Sequence, residues 1–317
     1  MKILVISAIG LIGTVAAGCF GLMPFVGSTI PADSTMHRVV AQKPVIPMVE
    51  SDSLSGRAST PAPGDLTQAE DAPEVPVKST IESNLRYKVE LLERGKEFLQ
   101  GIAHYTAKLQ KQEMVGGELL DEQTMAIKCR HNPFSVYLVW LSGDAGREVI
   151  YVDGTNNGKM IVHDGGWKSR IPAFSLPPDG TLAMHDTRYP VTTAGLLGVT
   201  RVMLGIHHED LRLSNVASCE LDEHQQFDGR PCYQFTMKYT SATDSPTYRK
   251  SITLIDCEWS VPLHTRHFEW SPSTTDLPEE ELDEATLLES YSFTDIKLEC
   301  NLTDHDFDRT NPEYRFR

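Results

Sequence analysis

From about residue 105 to residue 166 the side chains alternate in a pattern that suits a β-meander and little else. Tyr105, Ala107 and Leu109 interleave with Thr106, Lys108 and Gln110, and Met125, Ile127 and Cys129 interleave with Thr124, Lys128 and Arg130. Successive side chains of a strand point to opposite faces, so these two strands each have one apolar and one wet face. The next three runs, residues 134–141, 148–152 and 159–162, are apolar on both faces. Antiparallel sheet usually leaves one face in water. These strands therefore need two covers. The domain core supplies one, and the other is either a second packed layer or a ligand; the spacing leaves both open.

The flanking sequence supplies helices and more strands. Ser79 followed by Glu82 has the spacing of a capping box, and Ile81, Leu85, Val89, Leu92 and Leu99 then recur at helical intervals as far as Gly101. This predicts an amphipathic helix packed on the sheet that it introduces. Proline and glycine break up residues 165–190. A second helix is expected over residues 192–206, where Leu196, Leu197, Val199, Val202, Met203, Leu204 and Ile206 cover nearly the whole circumference. Its Gly195, Gly198 and Gly205 fit either a closely packed core helix or a mobile lid. Strands follow at 213–221, 232–239, 250–257, 261–270 and 287–298, with an acidic loop over 275–284 before the last. The expected fold is α+β and mostly β: one large curved antiparallel sheet, a half-open barrel, with an N-terminal helix and a mid-chain apolar helix packed on it.

Outside that domain, residues 3–27 carry no charge and follow Lys2, and roughly 20 apolar residues are enough to cross a bilayer. Three readings stand: a retained anchor at the inner membrane, a cleaved signal ending near Gly27, and a lipoprotein signal in which Ala16-Ala17-Gly18-Cys19 makes Cys19 the acylated residue. Each exports the rest of the chain to the cell envelope (the periplasm). Residues 28–77 are rich in proline, serine, threonine and acidic side chains. They read as a tether with a reach of roughly 40 Å. The ordered domain is expected over 78–317. A net charge of −15 argues against nucleic acid as a partner, since phosphates demand a basic surface.

The sequence carries no recognisable catalytic or metal motif, and no cofactor is expected. There is no nucleophile elbow, zinc-protease helix, phosphate loop or dinucleotide fingerprint. His207, His208, Glu209 and Asp210 are adjacent and would not face one centre; they read as a polar helix end. His264 and His267 fall on opposite faces of a strand. Asp304, Asp306 and Asp308 have calcium-loop spacing, but Arg309 stands where the turn glycine belongs. Residues 153–158 read as a hairpin turn. Cys219 and Cys232 sit on two arms of one expected hairpin, so a cross-strand disulfide competes with a reading of Cys129, Cys219, Cys232, Cys257 and Cys300 as buried thiols.

Several segments carry a resemblance. Tyr105-Thr-Ala-Lys-Leu-Gln-Lys-Gln-Glu113, Pro133-Phe-Ser-Val-Tyr-Leu-Val-Trp140 and Gly146-Arg-Glu-Val-Ile-Tyr-Val152 resemble the bacterial family called domain of unknown function 1571. So do Leu288-Glu-Ser-Tyr-Ser-Phe293, Leu302-Thr-Asp-His-Asp-Phe-Asp308 and Asn311-Pro-Glu-Tyr314. The likeness spans residues 84–316. More distantly the chain resembles periplasmic lipoprotein carriers of LolA type, which implies a half-open barrel whose apolar concave face receives acyl chains. The first expectation is thus a non-catalytic envelope protein that binds a lipid, an acyl chain or a lipoprotein. Its cavity would be lined by Val136, Leu138, Trp140, Ile150, Val152 and Met160 and covered by Leu196, Leu197 and Met203, with the facing set left open because a one-residue change of phase reverses it. A tethered structural or protein-interaction module is the second reading, and a hydrolase with converging His and Asp groups is the third.

Overall fold

The computed structural model describes residues 77–270, 277–298 and 300–316. The apolar segment 3–27, the Cys19 signal and most of the tether lie outside the described residues. Helix α1 (Val77–Gly101) begins two residues before Ser79, which therefore sits within the helix rather than at its cap. Leu85, Val89, Leu92 and Leu99 are all buried, as their helical spacing requires. Among the described residues no helix is long and apolar enough to cross a membrane.

From α1 the chain enters β1 (His104–Val115), then β2 (Glu118–Leu119), β3 (Gln123–His131), β4 (Phe134–Trp140), β5 (Glu148–Val152), β6 (Met160–His163) and β7 (Phe174–Leu176). Helix α2 (Leu196–Leu213) follows, then β8 (Val216–Phe227), β9 (Arg230–Tyr239), β10 (Lys250–Asp256), β11 (Pro262–Phe268), α3 (Glu279–Ala285) and β12 (Leu287–Leu298). The strands form one antiparallel sheet in the order β7-β6-β5-β4-β3-β1-β12-β11-β10-β9-β8, with β2 paired to β1. The last strand docks beside the first, Glu113 opposite Glu289. The sheet is open, with β7 and β8 as its edges, so the mostly-β fold with an N-terminal and a mid-chain helix is the one observed.

Several elements differ from expectation: β2 and β7 are additional strands, β8 runs over Val216–Phe227 instead of 213–221, and two helical segments change. Helix α2 continues past Ile206 to Leu213, because His207 and Asp210 are buried on its inner side while His208 and Glu209 stay exposed. The acidic segment is partly helical: α3 carries Glu279, Glu280 and Glu281 in its first turn, where the helix dipole favours negative charge. Cys219 is opposite Met237 and Cys232 is opposite Gln225, so the hairpin register separates the two cysteines. No disulfide joins the described cysteines, and Cys257 and Cys300 are only half-buried.

The two covers demanded by the apolar meander are different in kind. On the outer face Tyr137 and Ile150 are buried with Phe307, Tyr314 and Phe316 of the C-terminal segment, and Val139, Val152 and Ile161 pack alongside. Tyr137 and Tyr314 stack at 4.0 Å with 10° between their planes. Lys128 holds Asp306 at 2.7 Å, which gives that carboxylate an ion-pair partner from the sheet. On the concave face α1 and α2 cover the half built from β8, β9 and β10, through Leu85, Leu92, Met203, Leu204, Phe235, Met237 and Ile255. The other half is bridged by residues 177–195, the connection from β7 to α2.

A candidate ligand cavity beneath the connection

Beneath that connection lies a cavity whose empty space, open mouth included, is about 1030 Å³. Period-two alternation decides its floor. Leu109, Met125, Leu138, Trp140, Val149, Met160 and Phe293 are the inward-facing members of their strands and line it. Val199, Val202 and Met203 of α2 form a side wall, and Pro178, Ala183, Tyr189, Pro190, Val191 and Ala194 lie along the connection.

The helix is held against this wall by a backbone device. Gly195 precedes α2 with φ of +89°, and a Cβ there would run into the Tyr105 hydroxyl. That hydroxyl accepts the Leu196 N–H at 2.8 Å, satisfying one of the donors left over at a helix start. At Gly198 a Cβ would overlap the Thr193 carbonyl. Two of the three glycines in this helical segment thus permit close approach; around Gly205 there is open space.

Of the residues expected to line a cavity, Leu138, Trp140, Met160 and Met203 do so. Val136, Leu196 and Leu197 are buried in the core that adjoins it. Ile150 and Val152 are corrected: they lie on the outer face, against the C-terminal segment. The reason is phase, since Val149 and Tyr151 take the inward positions opposite Leu138 and Val136.

The sequence reading missed the polar wall. Beyond Leu109 the inward set of β1 continues to Lys111 and Glu113, opposite Tyr291 and Glu289 of β12, which face Thr265 and His267 of β11. All six line the cavity. Glu289 is 1% exposed and accepts hydrogen bonds from Arg188 Nε (2.7 Å), Tyr189 Oη (3.2 Å) and Tyr248 Oη (3.3 Å), with His267 Nδ1 at 2.8 Å. Burial alone would raise its pKa, but His267 and Arg188 outweigh it and hold the carboxyl below its ordinary value. Glu113 accepts from Lys111 Nζ at 2.8 Å and from the Tyr291 hydroxyl. Arg147 pairs with Asp186 at 2.5 Å. Residues 186–189 are therefore tied to the sheet by charged groups, together with the Tyr189 ring set edge-on to Tyr291. The available signal was a charged side chain in the inward phase of a strand, which is rarely tolerated without a partner.

A second buried group lies under α2. His207 Nδ1 is 3.0 Å from Asp210 Oδ2, which also accepts from the Tyr239 hydroxyl at 2.9 Å. His267 remains on the face opposite His264, as its strand position predicts; His264 instead meets Ser292 at 2.7 Å. Burial pushes His207 down to about 4. The unfolded chain, with a histidine pKa near 6.5, then binds the extra proton first as pH falls. The native state should lose about 3 kcal/mol between pH 6.5 and pH 4 from this residue. Urea unfolding at pH 7 and pH 4.5 checks this: His207→Gln should show a smaller acid loss than the parent, and equal losses would refute it. Among the described residues no cluster of three His, Cys, Asp or Glu side chains suits a metal ion.

The family model described as "Protein of unknown function (DUF1571)" matches residues 102–316. No curated protein matches the chain. Among solved structures, the Pseudomonas aeruginosa MucA/MucB complex aligns at 14% identity and TM-score 0.41, over 70% of this chain and 60% of that chain. Mycobacterium tuberculosis lipoprotein LppX aligns at 11% identity and TM-score 0.39, over 70% and 99%. A LolA superfamily protein from Nitrosomonas europaea aligns at 11% identity and TM-score 0.29, over 69% and 96%.

Proposed function

Because the chain belongs to the DUF1571 family, whose function is unknown, its role has to be read from the cavity, and we propose that it is a non-catalytic cell-envelope protein that binds a lipid or acyl chain there. One observation carries the reading. The concave sheet face over β1, β3, β4, β5 and β6 is apolar and bridged, yet not filled by the protein's own side chains. Each methylene moved from water into such a space contributes roughly 0.8 kcal/mol. The converging polar residues support binding over hydrolysis. Thr265 Oγ1 is 3.4 Å from His267 and donates to the Ile252 carbonyl, while Glu289 is already engaged by four side chains, so the groups form a closed network.

The test is a titration of the full chain with an environment-sensitive fluorescent alkyl probe, alongside Val149→Trp. Val149 lines the floor and is buried, so the indole should occupy the space and weaken probe binding by about 100-fold or more, equivalent to roughly 3 kcal/mol. Overpacking costs about 1–3 kcal/mol of stability, so binding is compared at a temperature where both proteins are folded. A folded variant that binds the probe as the parent does would overturn the proposal, as would a parent that ignores the probe.

A further inference from the structure

Resting on the cavity reading above, we propose that the ligand is an uncharged acyl lipid whose polar end is an ester or hydroxyl, not a free fatty acid or a phospholipid. The argument is the charge balance of the polar wall. Two permanent cations line it and a third, Arg188, stands behind it, and each has a carboxylate partner: Lys111 with Glu113 at 2.8 Å, Arg147 with Asp186 at 2.5 Å, and Arg188 with Glu289 at 2.7 Å. Their formal charges cancel.

An anionic headgroup entering this wall must draw a cation away from its partner and leave a buried carboxylate uncompensated. A cationic headgroup strands a cation in the same way. Only a neutral polar end leaves all three pairs intact. The protein's net charge of −15 works in the same direction, because it opposes the approach of anions.

The wall also has something to offer such a ligand. Arg147 lines the cavity, and its Nε is buried without a hydrogen-bond partner. A buried donor without an acceptor carries a desolvation cost, and the carbonyl of an acyl ester or a lipid hydroxyl would relieve it. Thr187, Thr193 and Thr265 add hydroxyls to the lining; each already donates its proton to a protein carbonyl, and its oxygen can still accept from a lipid hydroxyl.

The experiment is competition against the alkyl probe on the full chain with three ligands of one acyl chain: 1-oleoylglycerol, oleate and oleoyl lysophosphatidylglycerol. Oleoylglycerol should bind at least about tenfold tighter than either anion. If oleate or the lysophospholipid binds equally well, this inference falls while the lipid-binding reading stands. If none of the three competes and the probe itself fails to bind, the reading beneath it falls as well. The charge argument has its own control in Glu113→Gln, which removes the carboxylate beside Lys111, and Asp186→Asn, which leaves Arg147 only the exposed Asp144 at 3.6 Å. In whichever of them stays folded by thermal melting, oleate should gain about tenfold in affinity. No gain in a folded variant would overturn the proposal.

Discussion

Glu289→Ala is expected to lower stability by about 3–5 kcal/mol, the usual cost of removing one member of a buried charge pair. Against a total of roughly 5–15 kcal/mol, that takes a large part of the margin. Glu289 is the point where the connection is fastened: Arg188 and Tyr189 reach it from that connection, His267 from β11, and Tyr248 from the loop before β10. The substitution would leave the Arg188 guanidinium near an empty position and deprive the other three side chains of their acceptor. For a domain of this size 1 kcal/mol shifts Tm by roughly 2–4 °C, so differential scanning should show a drop of about 10 °C or more. Glu289→Gln keeps the volume and one acceptor and should fall between the two. Glu97→Ala, on the exposed side of α1, should stay within about 0.5 kcal/mol. An alanine variant melting within two or three degrees of the parent, about 1 kcal/mol, would mean that the connection is held elsewhere. The pH dependence has a definite sign. A carboxyl held below its ordinary value contributes stability above the unfolded carboxylate pKa, and that contribution fades as acid titrates it in the native state.

The meander was legible because its alternation is regular: Tyr105, Ala107 and Leu109 and Met125, Ile127 and Cys129 fall on the concave face as one set. Strand β12 matches its expected bounds for the same reason. What the alternation could not show was which face the doubly apolar strands turn inward. Ile150 and Val152 are as apolar as Val149 and Tyr151, so β5 carries no local sign of its phase; the C-terminal aromatics supply it only after folding. The polar wall was missed for a different reason. Lys111 and Glu113 look like the wet end of a strand until β12 brings Tyr291 and Glu289 across from them, about 180 residues later in the chain. Likewise the end of α2 looks polar and solvent-facing in sequence: Asp210 is only three residues from His207, but the Tyr239 hydroxyl that completes their buried surroundings comes from β9, 29 residues beyond Asp210.

Deleting residues 302–317 is expected to be more damaging still, although none of the described residues 302–316 lines the cavity. Phe307, Tyr314 and Phe316 are each about 5% exposed or less, and burying an aromatic side chain contributes roughly 1.5–3 kcal/mol. Their loss would uncover Tyr137 and Ile150, and with them Val139, Val152 and Ile161. Three ties that link the segment to the sheet go too: Lys128 to Asp306 at 2.7 Å, Lys128 to the Tyr314 hydroxyl at 3.1 Å, and the Arg315 N–H to Glu148 at 2.9 Å. The sum exceeds about 5 kcal/mol and approaches the whole stability of a domain. The truncated chain should therefore be recovered aggregated, or melt about 15 °C lower, and the uncovered apolar patch should bind hydrophobic dyes. A gentler variant separates the two faces of β5. Val152→Ala removes outer-face packing, so it should cost about 1 kcal/mol of stability and leave alkyl-probe affinity within about twofold, about 0.4 kcal/mol. Val149→Trp, on the other face of the same strand, should do the reverse, sparing the outer cover and weakening the probe by about 100-fold or more. Were Val152→Ala to weaken the probe instead, the assignment of ligand and C-terminal segment to opposite sides of the sheet would be inverted.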